Sequence, residues 1–529
     1  MQLDNIKKEL PVWLKRIWVY FKIFAGIAIF AFILWKIPFT HTLWTNNAYT
    51  QYNATELSNM GFFDNERYLL SALVQSLAAT IALVITLSLV AVQLAAQSYS
   101  ARVIDVYKRN PDMWILLCIY IITIFYGLGL IKVVELGIAG INMEGAIFVA
   151  YFIGFFAFVC LVPYMLKTLD LLKPSTVIEL LAVEITKENI LDSLEDYDEI
   201  AENDPIQPIV DMINAALVRN DYETVKNGLV RIKNSANQII ENESFDQKEE
   251  EIFSNHLIEH VERLGKTAIK NGNERSTISS IKVIEEIGMK AADKNLEWTT
   301  WRTISTLHIF ARDAAPKDFG FATRDIIYSV ERIGTQSIRQ KLESVPPECV
   351  NALETLGIEQ AKRKMDWDIG TTANVIMKIG YEDRRVLDVC LRALTKIGLE
   401  AADFQLEDAL ISISDKLKQL GTEIESNDNQ HVTMNAAIAL GKIGIKTAHK
   451  DLYYSTFGII SDINNIGTVA AKKGEKLATR TSIRVLKNLK GNCNYNEMTR
   501  VIDNYIEELL EISTKMGWDM SSIIEELAK

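Results

Sequence analysis

Cysteine is scarce in this chain: five in 529 residues, none spaced as a pair. That excludes a disulfide scaffold and a thiolate zinc module. Proline is scarce too, at 10, and 23% of residues are charged, so collagen-like, low-complexity and disordered chains are excluded. There is no Walker loop, no Rossmann glycine fingerprint after a strand and no serine elbow. The basic clusters Lys362-Arg363-Lys364 and Lys472-Lys473 are short and set in acidic surroundings, so no nucleic-acid partner is expected. Facing a bilayer, they could touch anionic headgroups. No catalytic residue, cofactor or metal is expected, and the chain does not read as an enzyme.

What is present is unevenly distributed. Residues 1–173 hold 13 Lys and Arg against 10 Asp and Glu, whereas the remainder holds 43 against 58. A nearly neutral, apolar front is joined to an acidic back. Four apolar stretches, about 17–37, 68–95, 113–133 and 145–166, approach or exceed the ~20 residues that cross a bilayer as a helix. The first leads into Lys36-Ile37-Pro38 rather than small cleavage-site residues, so it reads as an uncleaved anchor. Lys7, Lys8, Lys15 and Arg16 precede it, and Arg102, Lys108, Arg109, Lys167 and Lys173 flank later spans on the same side. The loops 38–66 and 134–144 carry no Lys or Arg. This bias places both termini, and the large C-terminal domain, in the cytoplasm of a multi-pass cell-membrane protein. Asn53-Ala54-Thr55 on the outer loop matches the N-glycosylation tripeptide, which is common by chance.

Between Gly61 and Pro111 there is neither Gly nor Pro. A continuous helix there would measure roughly 65 Å, about twice the hydrocarbon thickness, and would emerge as a cytoplasmic stalk. Thr86, Val90, Gln93, Gln97 and Ser100 recur along it at helical spacing, with Gln75, Ala79 and Ala82 continuing the stripe. Glutamine facing lipid is costly. The stripe therefore either packs within a helix bundle or meets its copies in a homo-oligomer to line a pore. Lys132 and Glu135, at i and i+3, are expected to pair.

The segment SLVAVQLAAQSYSAR within residues 66–135 resembles a prokaryotic family of predicted multi-spanning membrane proteins of unknown function. The resemblance is carried by Leu89, Val90, Ala91, Gln93, Ala95, Ser98, Tyr99, Ser100 and Arg102. The family has Pro where this chain has Ala101, which favours an unkinked stalk. The resemblance implies membrane location and topology, not a reaction.

Beyond Lys173-Pro174 the long apolar runs stop. The acidic segment 195–204 reads as a connector, giving domains at 1–173, 174–204 and 205–529. A hydrophobic residue followed by glycine then recurs, marking Gly265, Gly288, Gly334, Gly357, Gly380, Gly398, Gly421, Gly444 and Gly467. The spacing is 23 residues, apart from one double step filled by Phe310-Ala311 and one shortened step. Four residues before each marker stands an aliphatic residue, from Val261 and Ile284 through Leu440 and Ile463. This is an amphipathic helix per period, and the glycines read as its left-handed C-caps. Two such helices make a unit of about 46 residues, similar to HEAT or armadillo repeats, whose stacking builds a solenoid. An irregular bundle is the alternative. The tail 498–529 breaks the period and reads as capping helices.

His256-Leu-Ile-Glu-His260 has the spacing of a zinc-protease motif, but it lies on the first marked repeat helix and reads as a solvated helix face. Cys118, Cys160, Cys349 and Cys390 occupy apolar positions and read as small core residues. The expected fold is all-α: a four-helix transmembrane module followed by a cytoplasmic α-solenoid of HEAT-like repeats. The expected function is a membrane-anchored scaffold or sensor whose partners are the lipid bilayer and a cytoplasmic protein. The alternative is an oligomeric channel gated by the solenoid.

Overall fold

The computed structural model describes residues 22, 24–26, 62–98, 111–136, 143–195, 204–423 and 430–519. Every regular element among them is helical. The chain divides into two compact units, Met1–Leu180 and Leu181–Lys529.

The first unit contains α1 (Phe62–Ser98), α2 (Pro111–Leu136) and α3 (Met143–Leu171). Stretches of each, Asn65–Leu94, Pro111–Glu135 and Gly145–Leu171, are long and apolar enough to cross a membrane. They coincide with three of the four expected spans. The span at 17–37 lies almost wholly outside the described residues, although Lys22 and 24–26 are helical and the Phe24 ring meets Phe152 and Phe156 edge-on. The 37 residues of α1 extend about 55 Å at 1.5 Å per residue; the stalk beyond Ser98 is outside the described residues. Leu77, Val84, Leu116, Tyr120, Ala157 and Cys160 belong to one buried apolar cluster among the described residues of this unit. Small residues let the helices approach: a Cβ on Gly154 would lie 2.9 Å from Leu73. Lys167 meets the buried Asp112 carboxylate at 2.5 Å, and Lys132 pairs with Glu135 at 3.0 Å as expected. Cys118, however, is exposed on α2 rather than packed in the core, because its helical face points away from α1 and α3.

After α4 (Pro174–Ala182), the second unit runs through α5 (Lys187–Glu195), α6 (Gln207–Val218), α7 (Tyr222–Asn242), α8 (Gln247–Lys270) and α9 (Glu274–Asp293). It continues with α10 (Glu297–Ala314), α11 (Gly320–Arg339), α12 (Val345–Lys362), α13 (Asp366–Glu382) and α14 (Leu387–Asp403). The last are α15 (Glu407–Thr422), α16 (Gln430–His449), α17 (Tyr453–Lys473), α18 (Lys476–Lys490) and α19 (Asn496–Lys515). From α8 onward each helix packs against the next and against the next but one. Even-numbered helices therefore form one row and odd-numbered helices another. The aliphatic stripe lies between them: Val261, Ile284, Leu307, Val330, Leu353, Ile376, Leu394, Leu417, Leu440 and Ile463 are all wholly buried.

The marker glycines do not cap these helices, and the expectation for Gly265, Gly288, Gly334, Gly357, Gly380, Gly398, Gly421, Gly444 and Gly467 is corrected: all nine lie within helices. The left-handed residues come seven positions after the markers, at Gly272, Asn295, Asp318, Lys341, Lys364, Gln405, Asp451 and Gly474. There the backbone closes Schellman turns, as in Leu296 N–H to Ala291 O at 2.9 Å and Met365 N–H to Gln360 O at 3.0 Å. The glycines are notches instead. A Cβ on Gly357 would lie 2.5 Å from Ile397 Cδ1, and one on Gly398 equally close to Ile443 Cδ1. In each case the intruding side chain comes from the next-but-one helix and stands just before that helix's own marker. In the described part of the tail, Leu509 of α19 fills the notch at Gly467.

Candidate functional site

Three features stand out once the helices are placed. His256 and His260 lie one turn apart on α8, as i and i+4 residues must. Both rings turn inward onto Asp204, just ahead of α6. Asp204 Oδ1 accepts the backbone N–H of Ile206 at 2.8 Å, fixing the carboxylate at the entry to that helix. His260 Nε2 lies 2.8 Å from Asp204 Oδ2 and His256 Nε2 lies 3.2 Å from Oδ1. The two imidazole Nε2 atoms are 3.4 Å apart.

The side chains of Asp204 and His260 are 5% and 3% exposed, that of His256 12%. The solvated-face reading of the two histidines is thereby corrected: His260 is inside, because α8 is covered on that side by Asp204. Glu259, the base that a zinc-protease pattern would require, is exposed on another face. Burial pushes the Asp204 carboxyl up, but the hydrogen bonds from His256 and His260 more than reverse this and hold it far below the usual carboxylate range. Arg263 Nη2 donates to His260 Nδ1 at 2.8 Å, which leaves the ring's hydrogen on Nε2, facing Asp204. One donor atom from each of the three side chains lies within 4.8 Å of the others, an arrangement that can hold a metal ion.

The second feature is the outward face of α1. Its inward stripe is Leu70, Val74, Leu77, Val84 and Ala91, all buried. Gln75, Ala79, Ala82, Thr86, Val90 and Gln93 are all exposed, so none of these positions is packed against the described residues of this unit. Thr86 satisfies its hydroxyl on the Ala82 carbonyl at 2.9 Å. Of the family-like motif, Leu89, Val90 and Gln93 point outward and Ala91 inward. The Gln97 and Ser98 side chains, and Tyr99, Ser100 and Arg102 altogether, lie outside the described residues.

The repeat unit also presents a row of exposed aromatics. Phe321, Trp367 and Tyr454 are 70%, 82% and 76% exposed. Each is the second residue of its helix, on α11, α13 and α17 of the odd row, and each stands ten residues beyond a marker position. Cys160, Cys349 and Cys390 are buried as expected, and burial raises the Cys390 thiol to about 12, which makes it unreactive.

No curated protein matches this chain in sequence. Among solved structures it is similar to a circular tandem repeat protein with novel repeat topology and enhanced subunit contact surfaces, at 14% identity and a TM-score of 0.30, over 65% of this chain and 96% of that one. It is also similar to a structure from the computational design of self-assembling cyclic protein homooligomers, at 13% identity and a TM-score of 0.14, over 65% and 95%. Neither superposition is close enough to carry an argument. Residues 15–230 match the family described as predicted membrane protein (DUF2254), a stretch that takes in α1 to α6, Asp204 and the motif through which the sequence resembles a membrane family.

Proposed function

We propose that the chain is a membrane-anchored scaffold or sensor that presents an α-solenoid of HEAT-like repeats to a cytoplasmic protein partner. In this reading four spans, 17–37 with α1, α2 and α3, form the anchor, and the Lys/Arg bias holds both termini in the cytoplasm. The two helix rows of the second unit are the solenoid. The observation that carries the reading is the recurrence of Phe321, Trp367 and Tyr454, bare aromatics in one row of helices. Exposed aromatics of this kind anchor protein interfaces, and repeats bind along extended faces.

The test is cross-linked capture from cells by the full chain and by a triple Phe321→Ala, Trp367→Ala, Tyr454→Ala variant. A partner retained by the wild type and released by the variant is the expected result. Equal recovery by both removes this surface from the account.

A second reading, an oligomeric channel, is favoured by the exposure of Gln75, Thr86 and Gln93 on α1. Polar groups on the outside of a spanning helix need water or protein against them. The expected behaviour is a stable oligomer in detergent that conducts ions in liposomes, with conductance altered by Gln93→Leu. A monomer without flux eliminates it.

A further inference from the structure

We propose that Asp204, His256 and His260 bind one zinc-class divalent cation, tying the residue that opens the repeat domain to α8. The inference is independent of which partner the repeats engage.

The geometry is specific. A tetrahedral zinc ion holds nitrogen and oxygen ligands at about 2.0–2.1 Å, which sets its ligand atoms about 3.3 Å from one another. The two Nε2 atoms are 3.4 Å apart, and His256 Nε2 is 3.2 Å from Asp204 Oδ1. These two separations match edges of that tetrahedron, and His260 Nε2, 2.8 Å from Asp204 Oδ2, lies close enough to the carboxylate to complete the face with a small shift. Two imidazoles and one carboxylate form a borderline donor set, suited to Zn2+ and Co2+ and poorly matched to Ca2+ or Mg2+, which take oxygen ligands. Three protein ligands leave the fourth position for water or another ligand. The carboxylate is held in place before any ion arrives, since the Ile206 N–H fixes Oδ1 at 2.8 Å.

Without an ion the same side chains satisfy one another, each imidazole donating Nε2–H to one carboxylate oxygen. The two states differ at Arg263. An ion takes the lone pair of Nε2, so the ring's hydrogen must sit on Nδ1. The guanidinium now donates to the Nδ1 of His260 at 2.8 Å and would face a second donor. Arg263 is exposed and can swing into solvent. It is therefore a positioning residue that opposes the ion, and removing it should tighten binding.

The test uses the full chain in detergent, stripped with a chelator and titrated with Co2+ or Zn2+ alone. One Co2+ per chain is expected, with the intense visible absorption of four-coordinate cobalt, displaced by Zn2+, and with a raised melting temperature. His256→Gln and Asp204→Asn should each weaken affinity at least tenfold, whereas Arg263→Ala should bind at least as tightly as wild type. Because Asp204→Asn also disturbs the entry to α6, His256→Gln decides the matter once its helical circular dichroism equals that of wild type. No stoichiometric uptake by the wild type, or His256→Gln binding as tightly as wild type, would overturn the proposal.

Discussion

Gly265 separates a notch from a cap. On α8 it faces the Phe310 ring of α10, and a Cβ built on it would overlap the end of that ring. A phenyl ring cannot fold away as an aliphatic tip can, so the substitution Gly265→Ala should force a shift costing about 1–3 kcal/mol. Replacing glycine by alanine within a helix also gains about 1 kcal/mol of helix propensity. Gly458 on α17 supplies that gain alone, since nothing lies within 4 Å of a Cβ there. Subtracting the two substitutions cancels propensity, and the remaining ~1–3 kcal/mol is the overlap. Repeat arrays need not unfold in one step. The assay is therefore local: amide hydrogen exchange of α8 and α10, and separately of α17, in the full chain in detergent. Gly458→Ala should slow exchange around itself, and Gly265→Ala should speed it in α8 and α10. Adding Phe310→Leu to Gly265→Ala should restore part of the loss. If Gly265→Ala protects as well as Gly458→Ala does, the notch argument is wrong.

Two further expectations follow from the same packing. Lys364 holds φ at 57°, a left-handed conformation that costs an ordinary side chain about 1–2 kcal/mol; Lys364→Gly should raise the melting temperature, and a fall would contradict its role as the helix terminator. Burial pushes the Glu262 carboxyl up, but hydrogen bonds and charge from Lys266 and Arg302 outweigh it and hold the group below its usual range. A depressed carboxyl stabilises fully above its unfolded value of about 4.3 and loses that contribution as pH falls through the lower folded value. Glu262→Gln should therefore flatten the acid limb of a stability-against-pH curve below that value, and an unchanged limb would refute the assignment.

The apolar positions of the repeat were legible because they are local. Residues at i, i+3 and i+4 share a helix face whatever surrounds them, so Val261, Ile284 and their counterparts could be placed in the core from spacing. The role of glycine was not. A glycine after an aliphatic residue is compatible with a cap or a notch, and only the helix some 45 residues onward distinguishes them. The true terminators, such as Asn295, Lys341, Lys364 and Gln405, include residue types with little intrinsic preference for left-handed φ, so nothing in composition marks them. The candidate metal cluster was half visible. His256 and His260 carry a recognisable spacing, but Asp204 stands in a run of acids that sequence cannot rank.

By itself the sequence determined three apolar spans, the 23-residue period, the buried stripe and the pairing of Lys132 with Glu135, because each depends on covalent spacing along one helix. Tertiary structure alone decided that the glycines admit Phe310, Ile397 and Ile443, that Gln75 and Gln93 of α1 are exposed, and that two histidines close on Asp204. These depend on which distant segment packs against a given face, and no local pattern specifies that neighbour.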